Sequence, residues 1–199
     1  MDKRADTRFP VADLIGARWS PRAFAKRSLD TASLGSLMEA ARWAASCFNE
    51  QPWRFIVARS EQAEEHARLA ACLVDANRAW AEKAPLLILS VAAKGFARNG
   101  KDNHWARHDV GLAVGGLSAQ ATQMGLVLHQ MAGFDGEKAR ETYAIPENYE
   151  PVAVIAVGYP AEPADLDEDL AAREAHVRVR KPLEELVFSG TWARPLAWD

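Results

Sequence analysis

The sequence predicts an α/β arrangement of two or three layers in one domain. Three observations carry that expectation: four short β-rich runs, helical periodicity in the segments between them, and a length that fills one ordinary domain. With 199 residues and no internal repeat, residues 1–199 are read as a single domain with its own core.

The first helix opens at Asp30 or Thr31, either of which can cap it. Its apolar residues Leu34, Leu37, Met38 and Ala41 recur at i, i+3, i+4 and i+7. It should end near Ala45, and residues 54–58 then form a short strand. A long amphipathic helix follows from about residue 61 to 83, with His66, Leu69, Ala70, Leu73, Asn77 and Trp80 on one stripe, and Pro85 stops it. Residues 86–91 are apolar on both faces, as a buried central strand requires. Residues 94–105 are polar, carry Gly95 and Gly100 and lack a period, which suits a mobile loop or lid. A third helix from about 107 to 124 carries Gly111, Ala113, Gly115, Gly116, Ser118, Ala119 and Ala121. So many small residues weaken a helix, so another backbone must approach it closely, within one core or across a dimer contact. Residues 126–131 and 152–158 supply two more strands, with a helix near 136–143 between them. Residues 160–169 read as an acidic solvated loop, and the tail from Arg178 has no clear pattern.

A hydrophobic fraction of 49% and a charged fraction of 26% are those of a soluble globular protein. The net charge of −3 gives no reason to expect nucleic acid or a membrane as partner, and no apolar run would span a bilayer. Residues 1–6 lack the apolar stretch of a signal peptide and read as a short frayed leader, so a cytoplasmic location is expected. Cys47 and Cys72 alone, without a CxxC or a histidine cluster, predict neither a disulfide framework nor a structural metal.

Basic residues stand at three places far apart in sequence: residues 18–22 (Arg-Trp-Ser-Pro-Arg), Arg54, and residues 178–181 (Arg-Val-Arg-Lys). The planar fork of arginine matches phosphate oxygens and a serine adds a short donor, so the first group suits a phosphate held in an extended loop. In an extended segment Arg178 and Arg180 point to one face. Solvated surface is the plainer account of each group. Residues 45–55 place polar amides between aromatics at a helix end that leads into a strand. Such a junction could bind the edge of a flat heteroaromatic ring, or be an Asn cap followed by a Pro turn. The seven tryptophans serve core packing or the lining of a flat-ligand site equally well.

Arg18-x-Ser20-x-Arg22-x-Phe24, followed by Ala41-Arg42-Trp43-Ala44-Ala45-Ser46-Cys47-Phe48-Asn49-Glu50-Gln51-Pro52-Trp53, resembles the N-terminal signature of the FMN-dependent nitroreductase family. Residues 125–135 (GLVLHQMAGFD) resemble its middle signature and residues 180–186 (RKPLEEL) its C-terminal one. Asn77, three residues before Trp80 and ahead of Ala84-Pro85, also fits. The four matches fall in the family's order and span nearly the whole chain.

The resemblance implies an α+β fold, a central, mostly antiparallel sheet flanked by helices, in an intertwined homodimer with two FMN sites lined by both subunits. It implies that Arg18, Ser20, Arg178 and Arg180, with Trp19 beside them, hold the phosphate and ribityl chain, and that Arg22 and Asn77 lie toward the pyrimidine edge. Ser46 and Asn49, with Cys47 and Phe48 between them, would come from the partner subunit. Backbone donors at Ala132 and Gly133, next to Met131, would face flavin N5. The implied activity moves hydride from NAD(P)H through N5 to a nitroaromatic, a quinone or an activated alkene. Reduction places negative charge on the N1–C2=O edge, where a fixed cation is stabilising. The cofactor carries this chemistry, so no catalytic side chain is assigned. The absence of a Gly-rich dinucleotide motif agrees with a nicotinamide that binds only in passing. The same flavin could instead serve a specific metabolite, by reductive dehalogenation or dehydrogenation, or sit in a sensing protein without turnover.

Two features depart from the family's pattern. Ala45-Ser46-Cys47 stands where Pro-Ser-Ser is frequent, and a thiol is a poor donor. Ala132 stands where some members carry a glutamate. Phe48 and Trp105 are candidates to stack on a planar substrate, and His104 or His108 to donate it a proton. Cys47 has no nearby base and reads as a packed thiol, and His129 as a core or cofactor-side residue.

Overall fold

A computed structural model describes residues 3–198. The four predicted strands join in one sheet: β1 (Trp53–Arg59), β2 (Leu86–Ala93), β3 (Val127–Met131) and β4 (Tyr149–Gly158), in the order β1-β2-β4-β3 with every pair antiparallel. β2 lies between β1 and β4, which is why residues 86–92 are all buried and read as apolar on both faces.

Helices cover both faces, giving three layers. On one face α2 (Thr31–Arg42) and α5 (Ala106–Gln123) bury Leu37, Ala41, Val110, Val114 and Leu117 against Leu86, Ile88, Ile155 and Val157. On the other, α3 (Ala63–Ala70), α4 (Asp75–Ala81) and α6 (Gly136–Thr142) bury Leu69, Trp80 and Ala139 against Leu87, Leu89, Val154 and Ala156. The strand residues divide by the period of two, alternate side chains going to opposite cores. Asp30 caps α2 by accepting the Ser33 N–H at 2.6 Å. α2 ends at Arg42, three residues before the expected stop.

The helix predicted over 61–83 is two helices. Residues 72–74 leave α-helical pairing where loop 133–135 recruits their backbone: Val74 N–H donates to Gly133 O, Asp135 N–H donates to Cys72 O, and Leu73 bridges Phe134. The apolar stripe continues across the break, with Leu69, Leu73 and Trp80 all buried, so its period could not reveal the break. Two further helices escaped sequence reading: short α1 (Asp13–Ala17) and α7 (Glu168–Ala175). α7 begins inside the run read as an acidic loop. Asp167 caps it by accepting the Leu170 N–H at 2.8 Å, and Glu168 and Asp169 sit in its first turn, where negative charge suits the helix dipole. Residues 94–105 fold back on themselves through hydrogen bonds from Phe96 N to Lys101 O and from Asn103 N to Lys94 O. Among the described residues no helix is long and apolar enough to cross a membrane.

Candidate functional site

The chain leaves α1 in an extended conformation at Arg18, and the loop that follows pairs with the end of β4 through Ala25 N to Tyr159 O and Ala161 N to Ala23 O. α7 then carries the C-terminal region back past this loop. A cleft of about 260 Å³ forms where the two meet, lined by Lys3, Arg18, Trp19, Ser20, Arg22, Arg173, Glu174, His176, Val177, Arg178 and Arg180. The two basic groups separated by some 160 positions in sequence therefore share one surface, while Arg54 stays on β1, bonded to Gln51 O and Trp53 O.

Among the described residues six lysine and arginine side chains line this cleft with a single carboxylate, on a chain whose net charge is −3. The Arg18 guanidinium is held below its ordinary pKa, first by burial and then by the charges of Arg178 and Arg180. Uncompensated cations this close disfavour one another, and a multiply charged anion relieves the repulsion. Arg18 Nη1 donates to Ser20 Oγ at 3.1 Å, which leaves the serine hydroxyl proton available to a ligand. The start of the chain, expected to fray, is tied to the cleft from residue 3 onward. Lys3 Nζ donates to Ala175 O and His176 O at 3.0 and 2.7 Å, and Arg178 donates to Lys3 O.

The single carboxylate is Glu174, on α7, whose side chain is 2% exposed. It accepts the backbone N–H of Arg22 at 2.9 Å and lies 3.8 Å from the Arg22 guanidinium. Next to this contact, His129 on β3 packs against Trp80 with ring centroids 4.6 Å apart, and its Nδ1 reaches Pro21 O at 3.0 Å. Burial, then the charges of Arg22 and Arg18, push the His129 pKa below 6.5, so the imidazole is neutral and donates from Nδ1. Arg22 also lies over Trp80, at 6.0 Å from the ring. Trp80 belongs to α4, and one turn earlier Asn77 Nδ2 donates to Gly133 O at 3.0 Å. A Cβ on Gly133 would meet that Nδ2 at 2.6 Å, so only glycine allows the approach. Arg22, Trp80, Asn77 and Gly133 are thus linked by successive contacts, which begin at the arginine cleft that Arg22 lines.

The second group of predicted residues sits elsewhere. Residues 46–49 form a 3₁₀ turn (Cys47–Asn49) between α2 and β1, and among the described residues none of them lines the arginine cleft. Phe48, Asn49 and Gln51 all have positive φ, at 54°, 57° and 52°, a conformation that disfavours L side chains by about 1–2 kcal/mol each. Polar contacts hold the turn there: Gln51 N–H to Ser46 Oγ at 3.0 Å, Gln51 Nε2 to Asn49 O at 2.9 Å, and Cys47 N–H to Asp109 Oδ2 at 2.9 Å. Asp109 is 2% exposed and also contacts His108 Nδ1 at 3.2 Å. Around this turn Trp43, Phe48 and Trp105 are 77%, 71% and 57% exposed. Phe48 meets Phe96 edge to face and carries Arg98 over its ring at 4.1 Å. Trp105 and His108 stand together on the same side of the molecule as this turn, through the shared Asp109.

Sequence reading missed Glu174, Asp109, Lys3 and Arg173. The two carboxylates carried a signal of a kind, since each lies one or four residues from a predicted site residue, but nothing in sequence marks an acid as buried.

The sequence profile of the nitroreductase family matches residues 15–159, a span that contains both groups except the C-terminal arginines. A crystal structure of an oxidoreductase containing FMN superposes with a TM-score of 0.88 at 31% identity, covering 96% of this chain and 97% of that one. A 15.4 kDa protein of Mycolicibacterium smegmatis is 35% identical over 72% of this chain and 99% of its own length. An NADH dehydrogenase of Thermus thermophilus is 27% identical over 90% of this chain and 97% of that protein. With that profile over most of its length and this fold, the chain belongs to the nitroreductase family.

Proposed function

We propose that this protein is an FMN-dependent oxidoreductase that passes hydride from NAD(P)H to a nitroaromatic, quinone or activated-alkene acceptor and works as a homodimer. The observation that carries the reading is the convergence of Arg18, Ser20, Arg178 and Arg180 with Arg22 on one cleft. The donor chemistry fits FMN: a phosphate monoester supplies the dianion that the crowded guanidinia lack, and Ser20 adds a hydroxyl proton. Arg18, Arg178 and Arg180 would hold the phosphate, Arg22 would face the pyrimidine edge, and Asn77 would keep the Gly133 backbone close to the ring. When bound, FMN supplies two-electron hydride chemistry at N5. Arg22 would supply a fixed cation for the negative charge of reduced flavin, and no protein acid or nucleophile would be required.

A second copy is expected because the turn at 46–49, with Phe48 and Trp43 exposed, stands apart from the cleft in one chain. Exposed aromatics on a strained, well-tethered turn suit contribution to a neighbour's site. The FMN-containing structural neighbour and the NADH-linked relative support the choice of cofactor and donor.

The test is the absorbance spectrum of the purified protein, with the cofactor released by heat and identified. FMN at about one per chain, and oxidation of NADH or NADPH that an added quinone or nitro compound accelerates, is the expected result. Protein that neither carries FMN nor binds it on reconstitution would overturn the reading.

A further inference from the structure

Glu174 stands out because a carboxylate with a 2% exposed side chain lines a cleft that also holds six lysine and arginine side chains. Its hydrogen bonds and its ion pair go to Arg22 and Ala23. Its Oε1 accepts the N–H of Arg22 at 2.9 Å and of Ala23 at 3.4 Å, and Oε2 lies 3.8 Å from the Arg22 guanidinium. The acid therefore does two things to one residue. It fixes the backbone from which Arg22 projects, and it places a negative charge beside the Arg22 side chain. The other titratable groups that line the cleft with Arg22 are Lys3, Arg18, Arg173, His176, Arg178 and Arg180, and His129 on β3, which burial keeps neutral, lies close to Arg22.

We infer that Glu174 is a positioning residue that sets how much positive charge Arg22 presents to the flavin, and so tunes the reduction potential of the bound cofactor. The inference rests on the FMN reading above and extends it to a residue that touches Arg22 rather than the ring. A cation at the N1–C2=O edge binds reduced flavin more tightly than oxidised flavin, and a carboxylate behind that cation offsets part of the preference. Glu174 thus holds the potential lower than Arg22 alone would set it. A reduced flavin of lower potential is a stronger hydride donor to the acceptor.

The experiment is the midpoint potential of the bound flavin, measured by dye equilibration, with FMN affinity by fluorescence titration of the apoprotein alongside. Glu174→Gln keeps an oxygen acceptor for the Arg22 and Ala23 N–H groups and removes the charge. It should raise the preference for reduced over oxidised flavin about tenfold, which is about +30 mV for a two-electron couple, with oxidised FMN bound within about fivefold of wild type. In an Arg22→Gln background the same change should move the potential by less than half as much. Glu174→Asp, which keeps the charge, should stay close to wild type. An unchanged potential in E174Q, or an equal shift with and without Arg22, overturns the proposal while leaving FMN binding intact. Loss of FMN in both E174Q and E174D makes Glu174 a structural strut and overturns it too. If the wild-type apoprotein binds no FMN, the parent reading falls and this inference with it.

Discussion

Gly116→Ala tests the packing that positions the turn at residues 46–49. α2 crosses α5 at Gly116, where an added Cβ would lie 2.6 Å from Ala40 O and 3.4 Å from Ala40 C. Ordinary contact with carbon begins near 3.4 Å, so the two helices must separate by about 0.8 Å at this point. The atom struck is helix backbone, which cannot rotate away as a side chain does. Overpacking of this kind destabilises by about 1–3 kcal/mol, and the rigid neighbour puts it at the upper end. Alanine recovers about 1 kcal/mol of helix propensity, leaving a net loss of about 2 kcal/mol. The adjacent Gly115 is the control, since nothing lies within 4 Å of its Cβ position in one chain. Gly115→Ala should therefore stabilise a lone protomer by up to about 1 kcal/mol. In a dimer that buries this face it should destabilise instead, by an amount that changes with protein concentration. Urea denaturation of the three proteins at two concentrations reads both effects. A G116A variant within 0.5 kcal/mol of wild type (about the scatter expected of an innocuous substitution) would refute the close approach of α2 and α5.

Arg18→Ala should weaken FMN binding by about 1.5–3 kcal/mol, roughly 10- to 150-fold, as read by fluorescence titration; unchanged affinity removes Arg18 from the phosphate site. His129 has its pKa depressed below 6.5 in the folded protein by burial and by Arg22 and Arg18. Its contribution to stability is thus complete above pH 6.5 and is lost as pH falls toward the folded pKa, because the unfolded chain takes up the proton first. Urea midpoints should drop more between pH 8 and pH 5 in wild type than in His129→Gln, and parallel profiles would exclude the effect. Asp109→Ala removes the acceptor of the Cys47 N–H. It should destabilise by about 1–3 kcal/mol, with Asp109→Asn closer to wild type, and equal urea midpoints for Asp109→Ala and wild type would show the tether to be idle.

Much of this architecture was legible because periodicity reports burial. Residues 86–91 are apolar on both faces and lie at the sheet's centre, while Leu34, Leu37 and Ala41 mark the buried stripe of α2. Strand pairing was not legible from pattern: alternating helices and strands suit a parallel sheet equally well, and only the resemblance pointed to antiparallel order. The break between α3 and α4 was hidden because loop 133–135 imposes it from outside, while the stripe remains continuous. α7 was missed because an acidic run reads as solvated until Asp167 is seen to cap it. The basic groups were visible one at a time. Pattern alone did not show their meeting, which only the resemblance implied, because it depends on Lys3, Glu174 and the pairing of residues 23–25 with 159–161.

Glu174 and Asp109 share a logic that explains why two buried acids occur beside loops of such different character. Each accepts a backbone N–H from a loop with no regular partner: Arg22 in one case, Cys47 in the other. A loop that must present side chains to a ligand cannot spend its backbone on a sheet ladder, and a buried N–H without an acceptor is unfavourable by about 1–3 kcal/mol. Charged acceptors form stronger hydrogen bonds than neutral ones and supply several lone pairs at one point. Both acids are also placed where their charge is compensated. Glu174 sits among arginines, and Asp109 lies in the first turn of α5, where the helix dipole is positive. The turn at 46–49 further requires a firm hold because Phe48 and Asn49 within it and Gln51 just after it have positive φ. Without Asp109 the strain there would relax and move Phe48 and Asn49, whereas the extended loop at 18–22 is unstrained and needs Glu174 chiefly to aim Arg22. The two loops should therefore respond differently to loss of their acids: the 46–49 turn by losing its conformation, the 18–22 loop by losing its electrostatic balance.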